Sequence, residues 1–383
     1  MNNNFKELRY FAGISSDTDA STIIREAVEV GLAAMDREYS VSGLVSKFSM
    51  DPATYTKKSD DVRKAILAYC GNKAGIPEIT ETRHILNAFD NPTFESIYNA
   101  IFTETLLGVM ARTDSTALGV FANVDTVDVG GSLTYEIETK ALPVAQRNTY
   151  GSNVGFLEGV AKQGITVTPK VYSLGVAVDV IRMLHGDIDM GKEIAKVAMG
   201  MLYAQYKLAV SKIVNNTAIT GTPLYRSTFT GANYLLTISY LQALNNANVR
   251  AYGTLPALNA IGVVATTNTG FVTQDEVIRN GYLSVAYGIP HVVLNQATDF
   301  SAPLGANDTT AGNIMLIPNN QVFLLADVGD KPVKMVRENY IRVINTEPQH
   351  NSLNRREYQY FMAFDAELAT QAHFAIQLTA TGG

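Results

Sequence analysis

The side chains able to do chemistry are few and scattered. Histidines stand at His84, His185, His291, His350 and His373, and none has a close neighbour at metal-ligand spacing. The densest polar constellation is His185-Gly186-Asp187-Ile188-Asp189, whose carboxylates could recruit a divalent ion. A turn followed by a helix cap explains the same residues without a ligand, because Asp187 or Asp189 can accept hydrogen bonds from free first-turn amides. Gly151-Ser152-Asn153-Val154-Gly155 has the look of a phosphate loop but lacks the Lys-Thr ending and the dinucleotide spacing, so it reads as a loop tip. No Gly-x-Ser-x-Gly nucleophile turn occurs. Cys70, the only cysteine, lies in a helical pattern with Val62, Ile66 and Tyr69 and reads as a structural thiol. One cysteine permits no intrachain disulfide, which suits a reducing compartment. The expectation is a protein with no catalytic, cofactor-binding or metal-binding residues; a soluble oligomeric enzyme of unidentified chemistry is the alternative by class.

The elements that would position such residues are more telling than the residues. Met190, Ile194, Val197, Met201, Ala204 and Leu208 recur at spacings of four and three, which puts them on one side of a helix over 187–216. Lys192, Glu193, Lys196, Lys207 and Lys212 occupy much of the remainder, so one wide face needs a cover. At about 1.5 Å per residue the helix would be roughly 40 Å long, a beam across a domain.

Before it lies a segment of a different period. Leu133, Tyr135, Ile137 and Thr139 alternate with Thr134, Glu136, Glu138 and Lys140, and a return strand fits 164–171, where Ile165 and Val167 alternate with Thr166 and Thr168. The intervening stretch holds Pro143, Gly151, Gly155 and Gly159 and shows no sustained helical face. A connection of this kind is a lid, a binding loop or an extended arm, and an arm needs a surface outside its own domain.

The remaining pattern is mixed. Helices are expected over 18–35, 59–72, 78–88, 93–110, 233–246 and 273–287, and strands over 171–180, 259–265, 292–294, 314–317, 322–325 and 340–344. Loops are expected near 245–255 and over 295–313. Tyr358, Tyr360, Met362 and Phe364 share one late strand face, and Phe374, Ile376 and Leu378 another. No regular βαβ series is present, so the class is α+β. The net charge of −6 comes from 30 basic and 36 acidic residues, with no concentrated basic run, which argues against a protein built to grip a phosphate backbone. No basic-plus-apolar signal region opens the chain and no long uninterrupted apolar span crosses it, so no membrane role is expected.

The order of these elements resembles the major capsid proteins of tailed bacteriophages, whose fold is shared with herpesvirus capsid floor domains and encapsulin shells. The resemblance runs from Thr93 to Leu378, with 93–110 as the helix entering the peripheral domain, 131–171 as the extended hairpin and 187–216 as the spine helix. The run Tyr-Leu-Ser-Val-Ala-Tyr-Gly-Ile-Pro-His-Val-Val-Leu from Tyr282 to Leu294 resembles that family's late Leu-Tyr-Gly-Val-Pro-Val passage, and 355–364 with 372–378 its closing strands. The resemblance implies an N-terminal arm with helices (1–92), an entering helix and strand (93–130), the hairpin loop (131–171), a peripheral domain with the spine helix (172–217), an axial domain (218–335) and closing strands returning to the peripheral and axial sheets (336–383).

It further implies self-assembly as pentamers and hexamers into an icosahedral virion shell enclosing double-stranded DNA without sequence-specific contacts, built in the host cytoplasm. A portal, a separate scaffolding protein, an uncleaved arm and a decoration protein are expected with it. An encapsulin-like shell around protein cargo is the alternative within the fold. Leu133, Tyr135, Ile137, Ile165 and Val167 are the expected packed side of the hairpin against an adjoining subunit, with Phe156 and Leu157 anchoring its tip. Met190, Ile194, Val197, Met201 and Leu208 are the expected packing residues of the spine. Loops near 245–255 and 295–313 are the expected contacts around a five-fold or six-fold axis.

Overall fold

In the computed structural model, the residues described are 18–39, 48, 50–76, 79, 82–113, 118–138, 162–178, 186, 189–216, 219–266, 278–294, 317–346, 356–369 and 373–379. Helix α1 (Thr18–Tyr39) is followed by α2 (Pro52–Ala74), α3 (Thr82–Phe89), α4 (Pro92–Thr113) and the single turn α5 (Leu118–Phe121). Helix α2 starts earlier than the apolar pattern from residue 59 suggests. Asp51 caps it by accepting from the Thr54 amide at 3.2 Å, and Pro52 occupies the first turn, where a missing N–H costs nothing. Gly75, at φ 67°, ends it in the left-handed conformation, with its amide and that of Ile76 bonded back to the last turn.

The first ninety residues, expected as an arm, put two helices into the core. Helix α1 packs against both α4 and α6 (Met190–Val214), and α2 packs on α1 and α4. Ala27, Val28, Val30, Leu32, Ala34 and Met35 of α1 are buried in this contact. Burying a side chain such as Val, Leu or Met contributes about 1.5–3 kcal/mol, so a layer of this size is integral to the fold.

On its other side α6 meets a four-stranded sheet of order β1-β10-β11-β4. Its strands are β1 (Ala122–Val127), β4 (Lys170–Val178), β10 (Val333–Thr346) and β11 (Arg356–Leu368). Strand β1 runs parallel to β10, with Ala122 opposite Val333, and the other pairings are antiparallel. The register of β10 on β11 shifts between Arg337 and Ile341. Between β1 and β4 the chain makes the pair β2 (Leu133–Glu138) and β3 (Lys162–Val167). The range 131–171 expected for the hairpin therefore overruns it, since β4 begins at Lys170 and belongs to the larger sheet.

A second, six-stranded sheet has the order β5-β12-β9-β6-β8-β7. It comprises β5 (Tyr225–Arg226), β6 (Val249–Gly253), β7 (Val285–Ala286), β8 (Ile289–Val293), β9 (Gln321–Ala326) and β12 (Phe374–Leu378), with helices α7 (Gly231–Asn245) and α8 (Leu255–Thr266) packed on it. Three expectations are corrected here. Residues 259–265 are helical, because a short apolar run does not tell a buried strand from a buried helix, and the turn from Thr254 through Pro256 starts α8 instead. Val285–Ala286 at the end of the expected helix is strand β7, turned back on β8 through Tyr287 and Gly288, both at positive φ. The stretch 245–255, expected as an axial loop, contains β6, an interior strand flanked by β9 and β8. The expected loop 295–313 and residues 273–277 and 314–316 lie outside the described residues.

Helix α6 is buried on more than the one face its charged positions suggest. Ala195, Met199, Tyr203 and Tyr206 are buried as well as Ile194, Val197 and Met201, because α1 and α4 cover one side and the sheet the other. Two glycines set the helix spacing. A Cβ added at Gly108 of α4 would lie 2.6 Å from Val28 Cγ2 of α1, and one at Gly31 of α1 would lie 2.8 Å from Val109 Cγ2 and 3.0 Å from Ile194 Cγ2. Gly108→Ala is expected to destabilise the subunit by about 1–3 kcal/mol through overpacking. In denaturant unfolding, Val28→Ala should recover part of that loss in the double variant, since it removes the group that is struck.

Candidate assembly surface

The β2–β3 pair is a hairpin with one packed and one wet side. Its register sets Leu133 opposite Val167, Tyr135 opposite Ile165 and Ile137 opposite Gln163. Leu133, Tyr135 and Ile165 are half-buried, while Thr134 and Thr166 face each other on the exposed side with their hydroxyls 2.9 Å apart. The side chain of Ile137, and Phe156 and Leu157 of the expected tip, lie outside the described residues.

The root of this hairpin is fastened to its own sheet. The Tyr135 hydroxyl donates to Asp125 Oδ2 of β1 at 2.6 Å, and Lys334 Nζ of β10 lies 5.6 Å from the centre of the Tyr135 ring. Burial, then the bond to Asp125, push the Tyr135 hydroxyl well above its ordinary range. Lys334 also pairs with Asp330. At the β1–β2 turn Gly130 adopts φ 77°, and its amide donates to Glu338 Oε1 of β10 at 2.8 Å. Val167, expected against an adjoining subunit, is 1% exposed within its own chain, where β3 meets β10 and β11. It lies three residues before the start of β4.

The helix behind the sheet is fixed at its N-terminus by another element. Asp189 caps α6 by accepting from the Gly191 amide at 2.9 Å, and it also receives the Ser59 hydroxyl at 3.1 Å and the Tyr55 hydroxyl at 2.8 Å, both from α2. Burial and that bond push the Tyr55 hydroxyl up. Within the His185–Asp189 constellation, Asp189 is thus a cap; His185 and Asp187 lie outside the described residues. Along the helix Met190, Ile194, Val197 and Met201 are buried and Leu208 is half-buried. Tyr55 and Ser59 are the functional partners that a reading of the sequence misses, because nothing local to them points to a residue 134 or 130 positions away.

Several titratable groups among the described residues are buried elsewhere in the fold. Burial pushes the Cys70 thiol up to about 12. His291 is buried with Nδ1 3.1 Å from the Leu283 carbonyl and Nε2 3.1 Å from the Tyr234 hydroxyl; a carbonyl only accepts, so Nδ1 carries the proton. Burial lowers its pKa, while the bond to Leu283 opposes that shift. Among the described residues no three His, Cys, Asp or Glu side chains gather as a metal site, and no helix is long and apolar enough to cross a membrane. A cavity of about 220 Å³ opens between α4 and β10, lined by Asn99, Thr103, Glu104 and Leu107 on one side and Tyr340, Ile341 and Val343 on the other. Burial pushes the Glu104 carboxyl up to about 7.

The sequence model of a family described as "SPbeta prophage-derived putative capsid protein YonB" matches residues 33–377. The match spans both sheets, the hairpin strands and α6, and the chain belongs to this family. No curated protein matches it. Among solved structures, the capsid of the cyanophage P-SCSP1u is 13% identical with a TM-score of 0.44, covering 68% of this chain and 86% of that one. The capsid of the native GTA particle is 11% identical with a TM-score of 0.46, covering 69% and 90%. The virus-like particle from Pyrococcus furiosus is 11% identical with a TM-score of 0.40, covering 72% and 96%.

Two outcomes follow from this geometry. Tyr135→Phe removes the bond to Asp125 and should cost about 1 kcal/mol locally, read as faster amide exchange in β2 and β3 with little change in α6. Glu104 has a higher pKa folded than unfolded, so its contribution to stability is fullest below about 4.5 and declines as the pH rises through about 7. Glu104→Gln, which keeps the neutral shape, should melt above the natural chain at pH 8 and level with it near pH 4.5.

Proposed function

We propose that this chain is a major capsid protein that self-associates as pentamers and hexamers into an icosahedral shell enclosing double-stranded viral DNA, and that it carries out no catalysis. The observation that carries the reading is the family match over 33–377, a span that includes a hairpin rooted in one sheet and a helix clamped behind that sheet. A hairpin mounted this way holds its direction at the base, and its described pairing runs from Leu133 with Val167 to Glu138 with Lys162. That is the arrangement needed to reach a neighbour without loosening the subunit that reaches.

The charge supports a wall and not a grip. A net charge of −6 with no basic run in the sequence fits a wall around DNA better than a protein that releases counterions from a phosphate backbone or reads its sequence. Portal and separate scaffolding proteins, and a decoration protein, are the partners such a shell would take. Assembly in the host cytoplasm and residence in the virion belong to the same proposal.

Expression of the chain, with imaging and mass measurement of the product, tests this. Closed particles of uniform size are the expected result; a monodisperse monomer refutes the shell, and particles filled with a defined protein refute the viral role. Met201 is 2% exposed on α6. Met201→Asp buries an unpaired charge and should abolish particles, whereas the exposed Lys196→Asp should leave them intact.

A further inference from the structure

Most of the longer helices here wet their outer faces with charge; α7 and α8 carry none. Helix α2 exposes Lys57, Asp61 and Lys64, and α1 exposes Arg25, Arg37 and Glu38. Helix α7 contains no charged residue from its N-cap, Thr230, to its C-cap, Asn246. Its inner side, Tyr234, Thr237, Ile238 and Leu241, is buried on the six-stranded sheet. Its outer side carries Leu235 (45% exposed), Leu236 (60%), Tyr240 (41%) and Leu244 (38%), the last three spaced by four and therefore in one row. Together they present on the order of 350 Å² of apolar surface, within the range of the largest patch that a protein leaves bare, a patch that is often functional. That is somewhat under half of the roughly 800 Å² per partner that a stable contact buries.

The same sheet ends at β7, a strand whose one partner among the described residues is β8. Its outer side is an open edge of the kind proteins cover or charge. Val285 on it is 58% exposed, and Ile278, just upstream, is 81% exposed. The six-stranded lobe thus bears two different sets of uncovered apolar side chains. A patch that meets its own copy stops at a dimer, while a contact between two different patches continues from copy to copy and forms a ring where the rotation closes.

We propose that the outer row of α7 on one copy docks against the β7 edge of the next, head to tail. The inference rests on the reading of the chain as a shell subunit, and supplies the contact within each ring of the shell. A second copy is the occupant because copies that share a net charge of −6 repel one another at a distance, and the α7 row offers a surface on which they approach without facing like charges.

Pairwise cross-linking tests it. Leu236→Cys and Val285→Cys would be placed singly and together in the full chain, assembled, and treated with a short bismaleimide; the native Cys70 is buried and stays inert. The double variant should give a ladder in a denaturing gel up to the pentamer or hexamer, and each single variant should stay monomeric. Dimers from Leu236→Cys alone would overturn the head-to-tail contact, and so would an unlinked double variant in intact particles, while the shell reading would stand in both cases. A natural chain that forms no assembly would overturn both. As an independent check, Leu236→Lys should keep the natural melting temperature but lose the particle peak in size-exclusion chromatography. Normal particle yield from that variant would refute the proposal.

Discussion

Helix α6 has almost no side of its own left to water, and the rest of the structure is arranged by that constraint. Charge survives only where a neighbour or an exposed strip receives it, as with Lys192 beside Glu38 at 2.8 Å and Lys212 beside Glu367 at 3.0 Å. Such exposed pairs contribute little, about 0–1 kcal/mol each, so the helix is held by contact. Contact on opposite sides demands small residues where backbones converge. Gly31 and Gly108 serve the α1, α4 and α6 crossings, and Gly200 lets Leu174 of β4 approach, with 3.1 Å left for a Cβ. Side chains packed to this density shift as a body or not at all.

The hairpin inherits its position from that rigid body. Its root is tied to β1 through Asp125 and to β10 through Glu338 and Lys334, both members of the sheet that lies on α6. Each tie is modest, near 1 kcal/mol, yet the three attach along two neighbouring strands and so define an angle as well as a location.

Much of this architecture was legible in the pattern of the chain, and what was not has identifiable causes. The long helix, the alternating strands at Leu133–Glu138 and the late strands β10, β11 and β12 all show a strong period, and period survives translation into structure. Residues 259–265 lacked one: a short, wholly apolar run fits strand and helix equally, and the deciding Thr254 and Pro256 lie outside it. The packed role of α1 was hidden because its apolar stripe says that something covers it and not what. The same limit affected the candidate surface. Alternation identified the packed side of the hairpin, but Val167 shares that side and turns out to be covered at home, since proximity to β4 is a tertiary fact. The ties from Tyr55 and Ser59 to Asp189 join positions more than a hundred residues apart, beyond any local signal.

Both sheets place late residues next to early ones. Strand β1 at Ala122 waits for Val333, and β4 joins its sheet through β11, whose pairing with it begins at Lys170 opposite Phe364. In the other sheet β6 and β12 are both held by β9, so that sheet too is bridged by a segment beyond residue 320. A nascent chain leaving the ribosome can form helices early, but both sheets stay open until most of the polypeptide has been synthesised. Until then the hairpin strands have no completed sheet to be tied to, so the mount of β2 and β3 is among the last parts of the fold to set.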